Sequence, residues 1–292
     1  MRQSSVKSFA ELEGLELLRG SIERRVVRNE LAIPRLPDVA VQIVRSGTHN
    51  SGSAYRLAQI IHADAALTQY VLRIASSAAK RPAKPITSLQ HAIAWLGLHD
   101  VANIAFTLAL QGKMLHVEGQ QRKARRLWRH SLASALWARQ VSEMLACDTG
   151  LCYLSGLLHN IGRAVTLGAV HEVAQRAGQH LSGEQYDWLI GIFNRDVGER
   201  VMSAWALPAP VPSVLAGWQS YASAGAVRWE SNVVNVAHKL ADFTLQESSM
   251  MRRDELVLDS AYLDLGLSSQ DAVELFDSAA AINAELDRYL SP

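Results

Sequence analysis

Cysteine is nearly missing from this chain: Cys147 and Cys152 stand alone. Their spacing matches no common zinc-ligand pattern and no second pair completes one, so both read as reduced, small apolar residues. No stretch reaches the roughly 18 consecutive apolar residues of a membrane span. The N-terminal stretch up to Glu30 is too charged for a signal peptide. These absences lead to the expectation of a soluble, cytoplasmic protein with no membrane role. A charge bias is missing as well. The formal net charge is +1, whereas a chain built to wrap nucleic acid carries a strong basic excess, so nucleic acid is not expected as a partner. A glycine-rich phosphate loop and a Gly-x-Ser-x-Gly elbow are both absent, which removes two common routes to phosphate binding and acyl hydrolysis.

Alternating β-branched runs are absent too, and what remains is helical. At 292 residues with 49% hydrophobic content, the chain can bury a substantial core. Residues 5–31 place Leu12, Leu15, Leu18, Ile22 and Val26 at helical spacing. Pro34 and Pro37 break that helix. Helices are then expected from Asp38 to Gly47, from a Ser53 cap to His62, and from an Asp64 cap through Leu67, Val71 and Ile74. A link with Pro82 and Pro85 precedes a helix opened by Ser88 and closed at Gly97. His99-Asp100 begins the next helix, where Asp100 suits the positive end of the dipole and acts as a capping residue. Gly112–Gly119 reads as a linker between two helical lobes.

Beyond it, Arg122, Lys123, Arg125, Arg126 and Arg129 form a basic run on one helix. Arg122, Arg126 and Arg129 share a face, which is either a docking surface or simply a solvated one. His130, Ser134, Trp137 and Val141 fall on another side of the same helix. The stretch Gly156-Leu157-Leu158-His159-Asn160-Ile161-Gly162 then carries the chemistry. Leu151, Leu154 and Leu158 are expected to face the core. Cys152, Ser155, Gly156 and His159 form a small-residue stripe that lets a second helix approach and delivers the imidazole to that contact. Gly162 is expected to end the helix in left-handed geometry. A further run through Trp188, Ile192, Val197, Val201 and Trp205 is expected to break near Asn194. Residues 230–245 form a helix with Val233, Val236, Ala237 and Leu240 inward, and a capped helix starts near Ser268 or Ser269.

Several of these segments carry a family resemblance. Ile33-Pro34-Arg35-Leu36-Pro37, Ala58-Gln59-Ile60-Ile61, the Asp64 to Ile74 helix, and Ile86-Thr87-Ser88-Leu89 through Leu96-Gly97 follow the order of HDOD domains, which the chain resembles. The departures are Ala65, where the family often has proline, and Ser76-Ser77 in place of Asn-Ser. The resemblance implies an all-α, two-lobed HD-like domain over 33–245, with lobes at 33–113 and 120–245. An N-terminal helix (1–32) precedes it, and a C-terminal extension (246–292) packs on it.

The resemblance also implies a set of site positions related to those of HD metal phosphohydrolases. His130 and His159 match histidines of the metal site, but Asn160 stands where the bridging aspartate would be. Asn194 occupies a histidine position, Gly217-Trp218 a histidine pair, and His238 the last aspartate, with Asp242 one turn later. A neutral carboxamide is a poor bridge between two dications. The expectation is therefore a non-catalytic regulatory protein with no metal and no cofactor. It would act through protein partners or by sensing a small ligand, such as a nucleotide, in the depleted pocket; a homodimer is also allowed. The alternative is a residual metal-dependent phosphohydrolase acting on a nucleotide or cyclic dinucleotide. His130, His159 and His238 are also open to a plainer role, as hydrogen-bonding residues across an inter-helix seam.

Overall fold

The computed structural model describes residues 9–47, 54–76, 86–114, 117–245 and 253–290. The expected cap at Ser53 and the link with Pro82 and Pro85 lie outside these. Among the described residues there is no strand and no helix long and apolar enough to cross a membrane.

Helix α1 (Phe9–Val27) buries Leu15, Leu18, Ile22 and Val26. A group of five helices follows: α2 (Asp38–Gly47), α3 (Ala54–His62), α4 (Ala65–Ser76), α5 (Leu89–Leu96) and α6 (Leu98–Met114). Their starts obey side-chain chemistry that the sequence displays. Asp64 Oδ1 accepts from the Leu67 amide at 3.0 Å, and Ser88 Oγ accepts from the His91 amide at 3.1 Å, each satisfying an orphan donor of the first turn. The linker is shorter than expected. Helix α6 continues through Gly112 to Met114, because its apolar face (Val101, Ala105, Leu110, Met114) stays buried over that length.

The second group is built on α7 (Gln121–Met144), which packs against α8 (Thr149–Leu158) on one side and α12 (Arg228–Leu245) on another. Helices α9 (Ile161–Arg176) and α10 (Gly183–Trp205) form an antiparallel pair beside them, and α11 (Val211–Gly217) leads through two 3₁₀ turns into α12. After the short α13 (Arg253–Leu256) and α14 (Ser260–Asp264), α15 (Ser269–Leu290) lies along α7. Its first turn is closed reciprocally: Ser268 Oγ accepts from the Asp271 amide, and the Ser268 amide donates to Asp271. A two-pronged pair from Arg139 to Glu285 (3.1 and 2.8 Å) fastens α15 to α7. One apolar core runs from Leu15 in α1 to Tyr289 in α15. Both groups share it, and Trp205 Nε1 donates to the Pro34 carbonyl at 2.8 Å across their junction.

Three local expectations are corrected. Helix α10 is unbroken at Asn194, and its buried face is Tyr186, Leu189, Ile190, Phe193, Val197 and Val201; Trp188 (42%) and Ile192 (41%) are left exposed. On α8 the small-residue stripe is the deeper one: Cys152, Ser155 and Gly156 are buried, whereas Leu151 and Leu154 are half-buried. Gly162 does not end a helix. It lies in the first turn of α9, where an added Cβ would fall on the Asn194 carbonyl oxygen and stand 2.8 Å from the Gly198 amide nitrogen. It is glycine because α9 and α10 touch backbone to backbone there.

That close approach is testable by urea denaturation. Gly162→Ala must push α9 off α10 and is expected to lower stability by about 3 kcal/mol. Gly168→Ala, on the same helix with nothing within 4 Å of its Cβ, is expected to raise it by about 0.5 to 1 kcal/mol.

Candidate functional site

The site forms where α7, α8 and α12 converge. A Cβ on Gly156 would sit 2.9 Å from the Ser134 carbonyl oxygen and 3.0 Å from the Ala135 Cα, so glycine is what allows α8 to lie directly on α7. One helical step further, His159 turns into the seam. Its ring meets His130 of α7 and His238 of α12, and one nitrogen from each of the three lies within 4.8 Å of the others. The chain therefore brings together His130, His159, Asn160, His238 and Asp242.

Carbonyls and carboxylates only accept and an amide nitrogen only donates, so the tautomers follow by elimination. His159 Nδ1 is 2.6 Å from the Gly156 carbonyl, which makes it the N–H of that ring. Its Nε2 then accepts, at 3.0 Å, from His238 Nδ1–H. Asn160 Nδ2 donates to His130 Nδ1 at 3.3 Å. The proton of His130 is thereby placed on Nε2, which donates to Asp242 Oδ1 at 2.9 Å. Each ring thus has a defined tautomer, and His159 and His238 are held neutral by their burial.

Burial pushes His159 well below the ordinary histidine value, and the neighbouring His238 and His130 add to the shift. His238 is lowered to about 4, first by burial and then by His130, against the pull of Asp242. Burial raises the Asp242 carboxyl, yet the His130 hydrogen bond and the positive side of His238 and Arg163 outweigh it and leave it below the usual carboxylate range.

Arg163 was not legible as a site residue in the sequence, and Trp218 was marked there only as one of a pair of positions lacking histidine. Trp218 packs against the cluster. Its indole closes the seam, 5.0 Å from the ring centroids of both His159 and His238. Arg163, in the first turn of α9, acts on His159, His238 and Asp242 by its charge, and its Nε is buried without a partner. Its position three residues after Asn160 was the available signal, since that spacing returns to the same side of a helix.

Other expected positions lie elsewhere. Asn194 is not in the cluster; its carbonyl backs Gly162, and its buried side-chain oxygen has no partner. His99 lies beside the start of α8, near Asp148 and Gly150. Arg122, Arg126 and Arg129 are exposed on α7, and Arg129 pairs with Asp287 of α15 at 3.6 Å. The thiols of Cys147 and Cys152 are free, and burial raises both.

The donor set does not fit a two-metal centre: its one carboxylate, Asp242, is bonded to His130, and Asn160 offers only a neutral carboxamide. Three imidazole nitrogens fit a single divalent ion of zinc-like preference. Such an ion would compete with the bond between His238 and His159.

Residues 33–219 match the model of the HDOD domain. The chain belongs to the HDOD family. Three solved structures are similar to it. An HDOD protein of unknown function from Geobacter sulfurreducens is 20% identical, with a TM-score of 0.72 over 95% of this chain and 99% of its own. A protein from Shewanella amazonensis SB2B, provisionally named a metal-dependent phosphohydrolase, has the same identity and score over 94% and 99%. A protein from Marinobacter aquaeolei VT8, provisionally named for signal transduction, is 22% identical with a TM-score of 0.64, over 96% of this chain and 66% of its own. At these identities the likeness is one of fold. An uncharacterized protein of Treponema pallidum (strain Nichols) is 24% identical over 190 residues, which is 61% of this chain. The chain spans about a third of that relative's length, 36%. His130, His159 and Trp218 fall within the residues matched to the HDOD domain, and His238 and Asp242 of α12 lie beyond them.

The neutral rings make stability depend on pH. Below about 6.5 the unfolded chain takes up protons that native His238 refuses until about 4, and His159 is lowered in the same direction. The native state is therefore expected to lose on the order of 2 to 3 kcal/mol as pH falls across that window. The Asp242 shift has the opposite origin and acts only below it. Urea midpoints at pH 7.5 and pH 5 would check this, and His238→Asn should flatten the dependence.

Proposed function

We propose that this HDOD protein is a non-catalytic regulatory module, acting through protein contacts and through a small ligand sensed beside its depleted HD site. The observation that carries the reading is the bond from Asn160 Nδ2 to His130 Nδ1. A carboxamide donates there and leaves the His130 proton on Nε2 for Asp242; a carboxylate could only accept, and would require a proton on His130 Nδ1 as well. Asn160 therefore suits a hydrogen-bonded cluster better than a metal bridge, and every imidazole nitrogen of that cluster except His238 Nε2 is bonded.

The competing reading, a residual phosphohydrolase acting on a nucleotide or cyclic dinucleotide, is favoured by one observation, the convergence of three imidazole nitrogens. One ion on three histidines would lack the second metal and the acidic groups that position a nucleophile.

Elemental analysis of the purified protein is expected to find no stoichiometric iron, manganese or zinc, and assays with cyclic dinucleotides and bis(p-nitrophenyl) phosphate no turnover. Asn160→Asp is expected to leave activity at zero and to lower stability by about 1 to 3 kcal/mol, since it removes the donor to His130 Nδ1 and buries a carboxylate in the seam. About one metal per chain, with turnover lost in His159→Ala, would install the phosphohydrolase reading.

The exposed face of Arg122, Arg126 and Arg129 is the proposed protein-docking surface. The Arg129 pair with Asp287 is largely solvent-exposed, so it contributes little to stability. Changing all three to Glu is expected to leave the thermal midpoint within a few degrees of the wild type. The same change should remove proteins that co-purify from the native cell; unchanged co-purification would sink the docking role.

A further inference from the structure

A cavity of about 460 Å³ lies between α10, α11 and the end of α8. Its volume falls in the range of small-molecule pockets. The walls are mainly apolar: Ile161 from α9, Met202 and Leu207 from α10 and its exit, and Leu215 from α11. His159 and Trp218 form the side it shares with the imidazole cluster.

Two features define what it takes. Asn194 lines the cavity, and its buried Oδ1 has no donor. A buried acceptor left unpaired is costly, so an occupant with an O–H or N–H would relieve it. The charged lining residues are Arg195 and Glu199, both well exposed and bonded to each other at 3.2 Å. The other side-chain polar groups, on Ser203, Ser213 and Gln219, are on exposed residues. The lining thus carries no unpaired charge that would draw in a phosphate.

We propose that this cavity binds a small, neutral, mainly apolar organic molecule that donates one hydrogen bond to Asn194. This deepens the sensing role and rests on it. A bound molecule would touch Trp218 and His159, and His159 accepts from His238 on α12. Occupancy of the cavity is thereby transmitted to the seam between α8 and α12.

Calorimetric titration of the full chain with 2-naphthol, 2-methoxynaphthalene and 2-naphthyl phosphate tests the proposal. The three share an apolar body and differ in donor and charge. 2-Naphthol is expected to bind about tenfold more tightly than the methyl ether, as one hydrogen bond to a buried group warrants. The phosphate is expected to bind most weakly. Asn194→Leu should abolish the preference for naphthol over its ether, and Ser203→Trp, which adds bulk from an exposed wall residue, should weaken both. Circular dichroism establishes that each variant is folded; should Asn194→Leu not fold, Asn194→Ala takes its place.

Equal binding of naphthol and ether, tighter binding of the phosphate, or no heat with any probe at millimolar concentration would overturn the site. Phosphodiester turnover with naphthol binding intact would overturn the non-catalytic reading and leave the site standing.

Discussion

The close approach of α8 to α7 at Gly156 is the constraint on which the site depends. With a side chain there, α8 would stand off from the Ser134 carbonyl and Ala135, and His159 would not reach between His130 and His238. With the approach in place, three imidazoles share one dry seam. Burial forbids charge on them unless a partner compensates it. The protein meets that condition with two short hydrogen-bond chains, one from His238 through His159 to the Gly156 carbonyl and one from Asn160 through His130 to Asp242.

A metal-loaded relative of this architecture would resolve the same crowding differently, using cations to hold the lone pairs and carboxylates to balance the cations. Here hydrogen bonds do that work. Asn160 donates where a carboxylate would accept, His238 donates to His159, and Trp218 packs against both rings. These contacts are mutually consistent, because each donor among them meets an acceptor.

The second close approach, at Gly162, has a different consequence. It locks α9 to α10 by backbone contact and so fixes Asn194, whose carbonyl faces Gly162 and whose side chain faces the cavity. The wall of the cavity and the wall of the imidazole cluster are therefore contiguous. Trp218 and His159 belong to both, which is the physical basis for coupling between them.

Helix periodicity, the caps at Asp64 and Ser88, the small-residue stripe of α8 and the meeting of His130, His159 and His238 were all legible in the amino-acid sequence. Each depends on spacing along a single helix or on a family order of segments. What sequence alone could not decide were relations between helices. Gly162 looked like a helix stop because the partner that forbids its side chain lies on α10. Asn194 looked like a break because residues near it are polar, whereas α10 is held straight by its buried face. Arg163 carried no motif, and Trp218 was marked only as a position without histidine, since a long-range charge and a wall are defined by what stands opposite them. The Gly156 carbonyl sets the His159 tautomer locally, but the bonds to His238, from Asn160 to His130 and to Asp242 were decided by tertiary structure, because each joins groups distant in sequence.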